Sequence, residues 1–265
     1  MRVNHPKGYI NWLKTTPIFK KGELENLPKF CIVLHDSLII EHLTLLGYTL
    51  RNYINIKIGA TDPIEFYVLR ESQTPFEFIL MNGLPGSGGI STQVAELSSL
   101  GCKYFIHIGT CGLFNEDLDE GKIILSNGSL KDQAATLLSD NNEPISYPDN
   151  KFLNDFRMFL EAESIEHQQG LGITIPIFYH QPKKYLLPLI ESQKYQFIEM
   201  EQSSFFETCK LNKTLGLSLV SGSDRYVLED GNLNHKYYDL DQNRVKNEIL
   251  LTCINYFKAK EDDEI

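Results

Sequence analysis

Phe76-Glu-Phe-Ile-Leu-Met81, then Asn82-Gly83-Leu84-Pro85-Gly86-Ser87-Gly88-Gly89-Ile90, then the segment 91–100, then Tyr104-Phe-Ile-His-Ile108 together decide the fold. An apolar run of strand length enters a turn containing four glycines. A helical pattern follows, with Ser91 or Thr92 as a natural N-cap. A second apolar run closes the unit. Strand, turn, helix, strand is the repeat of an α/β protein.

The same alternation extends in both directions. Phe30–Leu34, Lys122–Leu125, Leu171–Ile175, Phe197–Met200 and Leu215–Val220 read as further strands, several apolar on both faces as in a covered sheet. Helices are predicted over 37–46, 150–163, 201–213 and 239–257. In the last, Leu240, Arg244, Val245, Glu248, Ile249, Thr252, Cys253 and Tyr256 recur at helical spacing. The expected architecture is a layered α/β fold with a largely parallel sheet, whose ligands bind at the carboxyl ends of strands.

The chain has 265 residues, room for one large domain or two small ones, and nothing marks a boundary. We therefore expect one domain over 1–265. Residues 1–27 form an N-terminal extension, and the acidic stretch 258–265 is a frayed tail. Lysine and arginine number 25 against 35 aspartate and glutamate, a net charge of −10. That balance argues against nucleic acid or an anionic membrane as partner. No apolar run reaches the roughly 18 residues of a membrane span. Met1–Gly8 lacks the apolar core of a signal peptide, so a cytoplasmic location is expected. Cys31, Cys102, Cys111, Cys209 and Cys253 contain no CxxC pair, so neither a metal site nor a disulfide framework is expected.

Four segments at predicted strand ends carry candidate chemistry. The glycine turn 82–90, including Gly83, opens a helix whose free N–H groups suit an anion, or is simply a tight turn. Ile106-His107-Ile108-Gly109-Thr110-Cys111-Gly112 ends a buried strand in a glycine-flanked threonine. Its hydroxyl can meet a phosphate or ribose oxygen, or be incidental to a β-turn. Ile198-Glu199-Met200-Glu201 sets two carboxylates about a methionine at a strand-to-helix junction. They form a diol-binding pair, or a solvated surface pair. Ser221-Gly222-Ser223-Asp224-Arg225 offers an aspartate as general acid or as a turn residue.

In this order and spacing the segments resemble the nucleoside phosphorylase family, which includes purine nucleoside phosphorylase, uridine phosphorylase and the methylthioadenosine/S-adenosylhomocysteine nucleosidases. The resemblance covers about residues 28–257. Beyond the segments above it takes in Gly121-Lys122-Ile123-Ile124, Lys131-Asp132-Gln133 and Gly172-Ile-Thr-Ile-Pro-Ile-Phe178-Tyr179. It implies a three-layer α/β/α sandwich with a mixed, largely parallel sheet, and cleavage of the N-glycosidic bond of a nucleoside. The interval from Glu201 to Asp224 fits the purine branches. By resemblance Glu201 holds the ribose hydroxyls beside Glu199, with Met200 packed on the sugar. Phe178 contacts the base, Cys111 and Gly112 line the pocket, Asp224 protonates the base, and Thr110, His107 and Gly83 face the phosphate or other nucleophile. The resemblance also implies inorganic phosphate as co-substrate, no other cofactor, no metal, and a homo-oligomer, dimer or hexamer. In some relatives an N-terminal histidine completes the neighbouring site, a part for which His5 is the candidate.

The chain departs from the family where phosphate is held. The family's Gly-Asp-Pro-x-x-Arg turn is Leu34-His35-Asp36-Ser37-Leu38-Ile39 here, with only Asp36 kept. His107 stands where a second arginine precedes the strand end, and no arginine lies near Pro63 or Ile64. A phosphate held without bidentate guanidinium contacts is held weakly. The sequence thus predicts a less basic pocket, with His107, Arg51, Arg70 or Arg225 as substitute cations. Protonation of His107 in mild acid is one such route. A hydrolytic nucleosidase, with Asp36 or Glu41 near the water, and a non-catalytic nucleoside-binding protein remain alternatives. Gln181 and Lys184 sit near, but out of register with, the uridine branch's Gln-x-Arg pair.

Overall fold

The computed structural model describes residues 6–16, 24–35, 43, 50–58, 64–71, 75–114, 116–230, 232–238 and 241–264. At 50–58, 64, 65, 71 and 262–264 it describes the backbone alone. The predicted helix 37–46 lies outside the described residues apart from Leu43, and so do His5, Asp36, Ile39, Glu41 and Pro63.

The described elements, in chain order, are α1 (Pro6–Leu13), β1 (Phe30–Leu34), β2 (Leu50–Ile58), β3 (Ile64–Glu71), β4 (Glu77–Asn82), α2 (Gly86–Ser99), β5 (Tyr104–Leu113), β6 (Ile123–Leu130), α3 (Gln133–Leu138), β7 (Ile145–Ser146), α4 (Asn150–Ala162), β8 (Gln168–Thr174), α5 (Lys183–Glu191), β9 (Phe197–Glu199), α6 (Gln202–Leu211), β10 (Leu215–Glu229), β11 (Asn232–Tyr237) and α7 (Gln242–Glu264). The strands form one mixed sheet in the order β11-β10-β6-β8-β9-β5-β1-β4-β3-β2, with β7 paired to β6. β1 runs parallel to both β4 and β5, and β10 runs parallel to β5. Because β10 bonds β5 as well as β6, the strands β5, β10, β6, β8 and β9 close on themselves. The ring brings the ends of distant segments together around one opening.

Period-two alternation explains the layers. Phe30, Ile32 and Leu34 point to one face, where Phe152 and Phe156 of α4 and Ile249, Ile254 and Phe257 of α7 cover them. Cys31 and Val33 point to the other, under Ile90, Val94 and Leu97 of α2 and Phe205 and Phe206 of α6. This is the three-layer sandwich. The N-terminal extension joins the second face, since Ile10, Leu13 and Leu24 belong to the same apolar cluster. Among the described residues no helix is long and apolar enough to cross a membrane.

Several boundaries differ from expectation. α2 starts at Gly86, with Pro85 as its N-cap. Ser91 and Thr92 are inside it, donating to the carbonyls of Ser87 and Gly88 four residues back, so neither caps the helix. The 109–112 and 221–225 segments are not turns after strands. They lie within β5 and β10, paired Ser221 to Thr110, Gly222 to Cys111 and Asp224 to Gly112, with a bulge between Gly222 and Asp224. The expected frayed tail is helical: α7 runs to Glu264. Lys260 Nζ lies 3.7 Å from Asp155 Oδ2 and over the ring of Tyr104, which ties that turn to the body.

Candidate active site

Where β5 and β10 run side by side past the β9–α6 junction, they enclose a cavity of about 200 Å³. Of the predicted site residues, Thr110, Cys111 and Gly112 of β5 reach it, as do Glu199, Met200 and Glu201 of the junction, Asp224 of β10, and Phe178. Gly83 and His107 are not on its wall.

The two glutamates divide their work. Glu199 is buried, and its Oε2 accepts the backbone N–H groups of Glu201 and Gln202, both at 2.6 Å, at the start of α6. Its Oε1 accepts from Thr174 Oγ1 at 2.5 Å and Ser129 Oγ at 3.0 Å. Four bonds leave it little capacity for a ligand, so its effect is to fix the helix start that carries Glu201. Burial and the charge of Glu201 push Glu199 up to about 8. Glu201 Oε1 accepts the Gly86 N–H at 2.6 Å. The glycine turn does therefore offer an N–H at a helix start to an anion, and the anion is this chain's own carboxylate. Oε2 of Glu201 remains for the cavity, and burial raises the group above the ordinary carboxylate range.

Asp224 is held from two sides. Oδ1 accepts from Ser223 Oγ at 2.5 Å, and Oδ2 pairs with His235 Nε2 of β11. The Tyr226 ring stacks on His235 with centroids 4.4 Å apart. Gly112 is what lets the carboxylate lie there: a Cβ at that position would stand 2.7 Å from Asp224 Oδ2 and 2.8 Å from Tyr226 Cε2. Across the cavity Phe178 is 48% exposed, an aromatic face open to a ligand. Gln181 lines the same wall and donates to the Phe178 carbonyl at 2.9 Å, while its Oε1 is buried without a partner. Cys111 is buried beside Asp224 and Glu199, and burial with those carboxylates pushes its thiol well up, so it stays an uncharged lining group.

His107 corrects an expectation. It is 1% exposed, packed on Phe205, with Nδ1 2.8 Å from Ser218 Oγ. Burial, then the neighbouring His35, hold its pKa well below the usual value. An imidazolium at mildly acid pH is not available here, because the charged form would lose its hydration. Gly83 seats His35: a Cβ there would stand 2.6 Å from His35 Nε2. His35 does line the cavity, and burial and then the Lys246 charge push its pKa down to about 4. The other proposed cations are committed elsewhere. Arg225 Nε pairs with Glu120 at 2.5 Å and its Nη2 donates to the Leu118 carbonyl at 2.7 Å; Arg70 pairs with Glu77 at 2.6 Å. Arg51 is described by its backbone alone. Among the described residues, no arginine or lysine lines the cavity.

Sequence reasoning did not single out His235 or Tyr226, and treated His35 and Gln181 only as departures from a pattern. His235 lies on a hairpin strand with no apolar run, and its pairing with Asp224 depends on β10 continuing through the expected turn.

The arrangement has parallels among known proteins. A guanosine phosphorylase of Halorubrum lacusprofundi is 22% identical over 182 residues, 66% of this chain and 75% of that protein. An AMP nucleosidase of Bacteroides thetaiotaomicron superposes with a TM-score of 0.71 at 14% identity, covering 98% of this chain and 99% of that one. A purine nucleoside phosphorylase of Toxoplasma gondii, solved with immucillin-H, superposes at 0.68 with 16% identity over 88% of this chain and 91% of that one. These structural likenesses establish the fold. The family follows from the sequence itself, because residues 30–253 match the phosphorylase superfamily, and the chain is a member of it.

Proposed function

We propose that this protein cleaves the N-glycosidic bond of a purine nucleoside. The observation that carries the reading is that Asp224, Glu201 and Phe178 face one cavity. Bond cleavage develops positive charge on the sugar and negative charge on the departing base. Asp224, oriented by Ser223 and His235, donates a proton to the base as it leaves. Glu201 accepts from the sugar hydroxyls, Met200 packs on the sugar, and Phe178 contacts the base. The Asp224 and Glu201 contacts strengthen as charge separates, which is what acceleration requires, while Met200 and Phe178 hold the nucleoside in place. The guanosine and purine nucleoside phosphorylase relatives favour the purine.

The family uses phosphate as co-substrate, and phosphorolysis is the first reading here, with phosphate bound weakly. The absence of arginine and lysine from the described cavity wall favours hydrolysis as the second reading. No organic cofactor enters either reaction. A cytoplasmic location and a homo-oligomer, dimer or hexamer, belong to the same proposal and rest on the family resemblance.

The test is base release from a panel of purine and pyrimidine nucleosides, with and without phosphate. Purine release that rises with phosphate, with a high half-saturation concentration, supports the first reading. Release indifferent to phosphate selects hydrolysis. No release from any nucleoside refutes both and leaves a binding protein.

A further inference from the structure

Three metal-ligating side chains meet beside the cavity, His35 and Glu201 on its wall and His107 behind it. Nε2 of His107 and Nε2 of His35 are sealed from solvent and have no hydrogen-bond partner. Ligating atoms of His35, His107 and Glu201 all lie within 4.8 Å of one another. The other side of His107 and of Glu201 is occupied. His107 Nδ1 faces Ser218 Oγ, which also accepts from Gln202 Nε2 at 3.0 Å. The His35 ring packs on Gly83, where a Cβ would stand 2.6 Å from its Nε2. Glu201 Oε1 takes the Gly86 N–H. Two buried imidazole nitrogens without partners and a carboxylate are left close together, an arrangement that folding ordinarily avoids.

We propose that His35 Nε2, His107 Nε2 and Glu201 Oε2 bind one divalent ion of the zinc class, with its remaining coordination position turned into the cavity that Thr110 also lines. Two imidazoles and a carboxylate suit zinc, cobalt or iron better than magnesium or calcium. Bonds of about 2.0–2.2 Å place tetrahedral ligand atoms roughly 3.3 Å apart, so the three groups draw together by an ångström or so on binding. His107 is fixed by Phe205 and Ser218, whereas His35 and Glu201 stand at the cavity wall where small rotations suffice. Ser218 on the far nitrogen of His107 and the Gly86 N–H on the second oxygen of Glu201 are the kind of outer contact that orients metal ligands. Burial keeps both imidazoles in the uncharged form that retains a lone pair. Lys246 Nζ donates to the His35 carbonyl at 3.4 Å. The ion supplies positive charge at a wall that no described lysine or arginine lines, and its open position accepts an oxygen ligand, water or phosphate.

The inference does not depend on turnover, so its test uses the untagged, chelator-treated full chain without nucleoside. Zinc is titrated by calorimetry and cobalt by visible absorption, with metal content by mass spectrometry. One ion per chain is expected. His35→Gly and His107→Asn should each weaken it about 100-fold, and His167→Ala, half-buried and outside the cavity, should leave it unchanged. His35→Gly removes a ring from the cavity wall and relieves the crowding at Gly83, so it keeps the test sound if His107→Asn does not fold, as thermal melts will report. Wild-type affinity no greater than that of His35→Gly overturns the proposal. So does one-to-one binding that survives in His35→Gly and Glu201→Gln alike, which would place the ion elsewhere. Loss of base release with metal binding intact would count against the proposed function alone.

Discussion

The protonation of Glu199 sets the charge beside Glu201, and it can be read from stability. Burial and the Glu201 charge raise Glu199 from an ordinary 4.5 to about 8. The folded protein thus holds this proton to higher pH than the unfolded chain does. The linked stability is fully present below about 4.5, is lost as pH rises through the interval, and levels off above about 8. A difference of one bound proton changes stability by at most ~1.4 kcal/mol per pH unit. At ~2–4 °C of melting temperature per kcal/mol for a chain of this size, the limiting slope is ~3–6 °C per pH unit. Other carboxylates titrate over the same range, so the readout is the difference between wild type and Glu199→Gln. Glutamine imitates the protonated acid: its oxygen accepts the Glu201 and Gln202 N–H groups, and its amide donates to the Ser129 and Thr174 hydroxyls. Calorimetric melts from pH 5 to 9 should find the two proteins closest at pH 5, with the variant gaining on wild type up to about pH 8. A margin independent of pH, or one moving in favour of wild type, would refute the reasoning. It would mean that the four hydrogen bonds hold a carboxylate from mild acid upward.

Gly112→Ala should place its methyl against Asp224 and Tyr226, costing ~1–3 kcal/mol of stability and most of the base release; unchanged melting and turnover would refute the close approach. Asp224→Asn should slow purine release by about 10²–10⁴-fold in steady-state assays with the fold retained, and His235→Gln should slow it less. Gly83→Ala should drive the His35 ring off its seat and weaken zinc binding at least as much as it lowers the melting temperature. Ending the chain after Phe257 should lower the melting temperature by about 1–4 °C through loss of the Lys260 contacts with Asp155 and Tyr104; a frayed tail would leave it unchanged.

The fold was legible where strands are buried on both faces. β1 and β5 read as continuous apolar runs because helices cover both sides of the sheet. β2 was missed because Ile54-Asn55-Ile56-Lys57-Ile58 alternates apolar with polar, the pattern of a strand at the edge of a sheet, and a search for runs passes over it. The ends of β5 and β10 were misread for a different reason. Gly109, Gly112 and Gly222 look like turn signals, yet here they make room in neighbouring strands. A Cβ on Gly222 would stand 2.7 Å from Leu113 Cδ1, and one on Gly112 would meet Asp224. Glycine needed for close approach and glycine needed for a turn are the same letter in a sequence.

That ambiguity bears on the site. The cavity-lining residues of Glu199-Met200-Glu201 and Ser223-Asp224 were legible because each segment sits at a defined place in the fold. The charge balance of the pocket was not, because it depends on which buried groups have partners. Sequence spacing made His107 a substitute cation; only its placement between Phe205 and Ser218, beside His35, makes it a neutral acceptor. His35 and Gly83 then belong together as ring and seat, although 48 residues separate them and each was read in a different context. Where relatives place guanidinium groups, this chain gathers lone pairs, and lone pairs attract a metal ion where guanidinium groups attract phosphate. A cavity built this way binds an oxyanion tightly only when a cation is already in it. Phosphate dependence of base release should therefore differ between metal-loaded and chelated protein, whereas a site built on a hidden arginine would respond to phosphate identically in both.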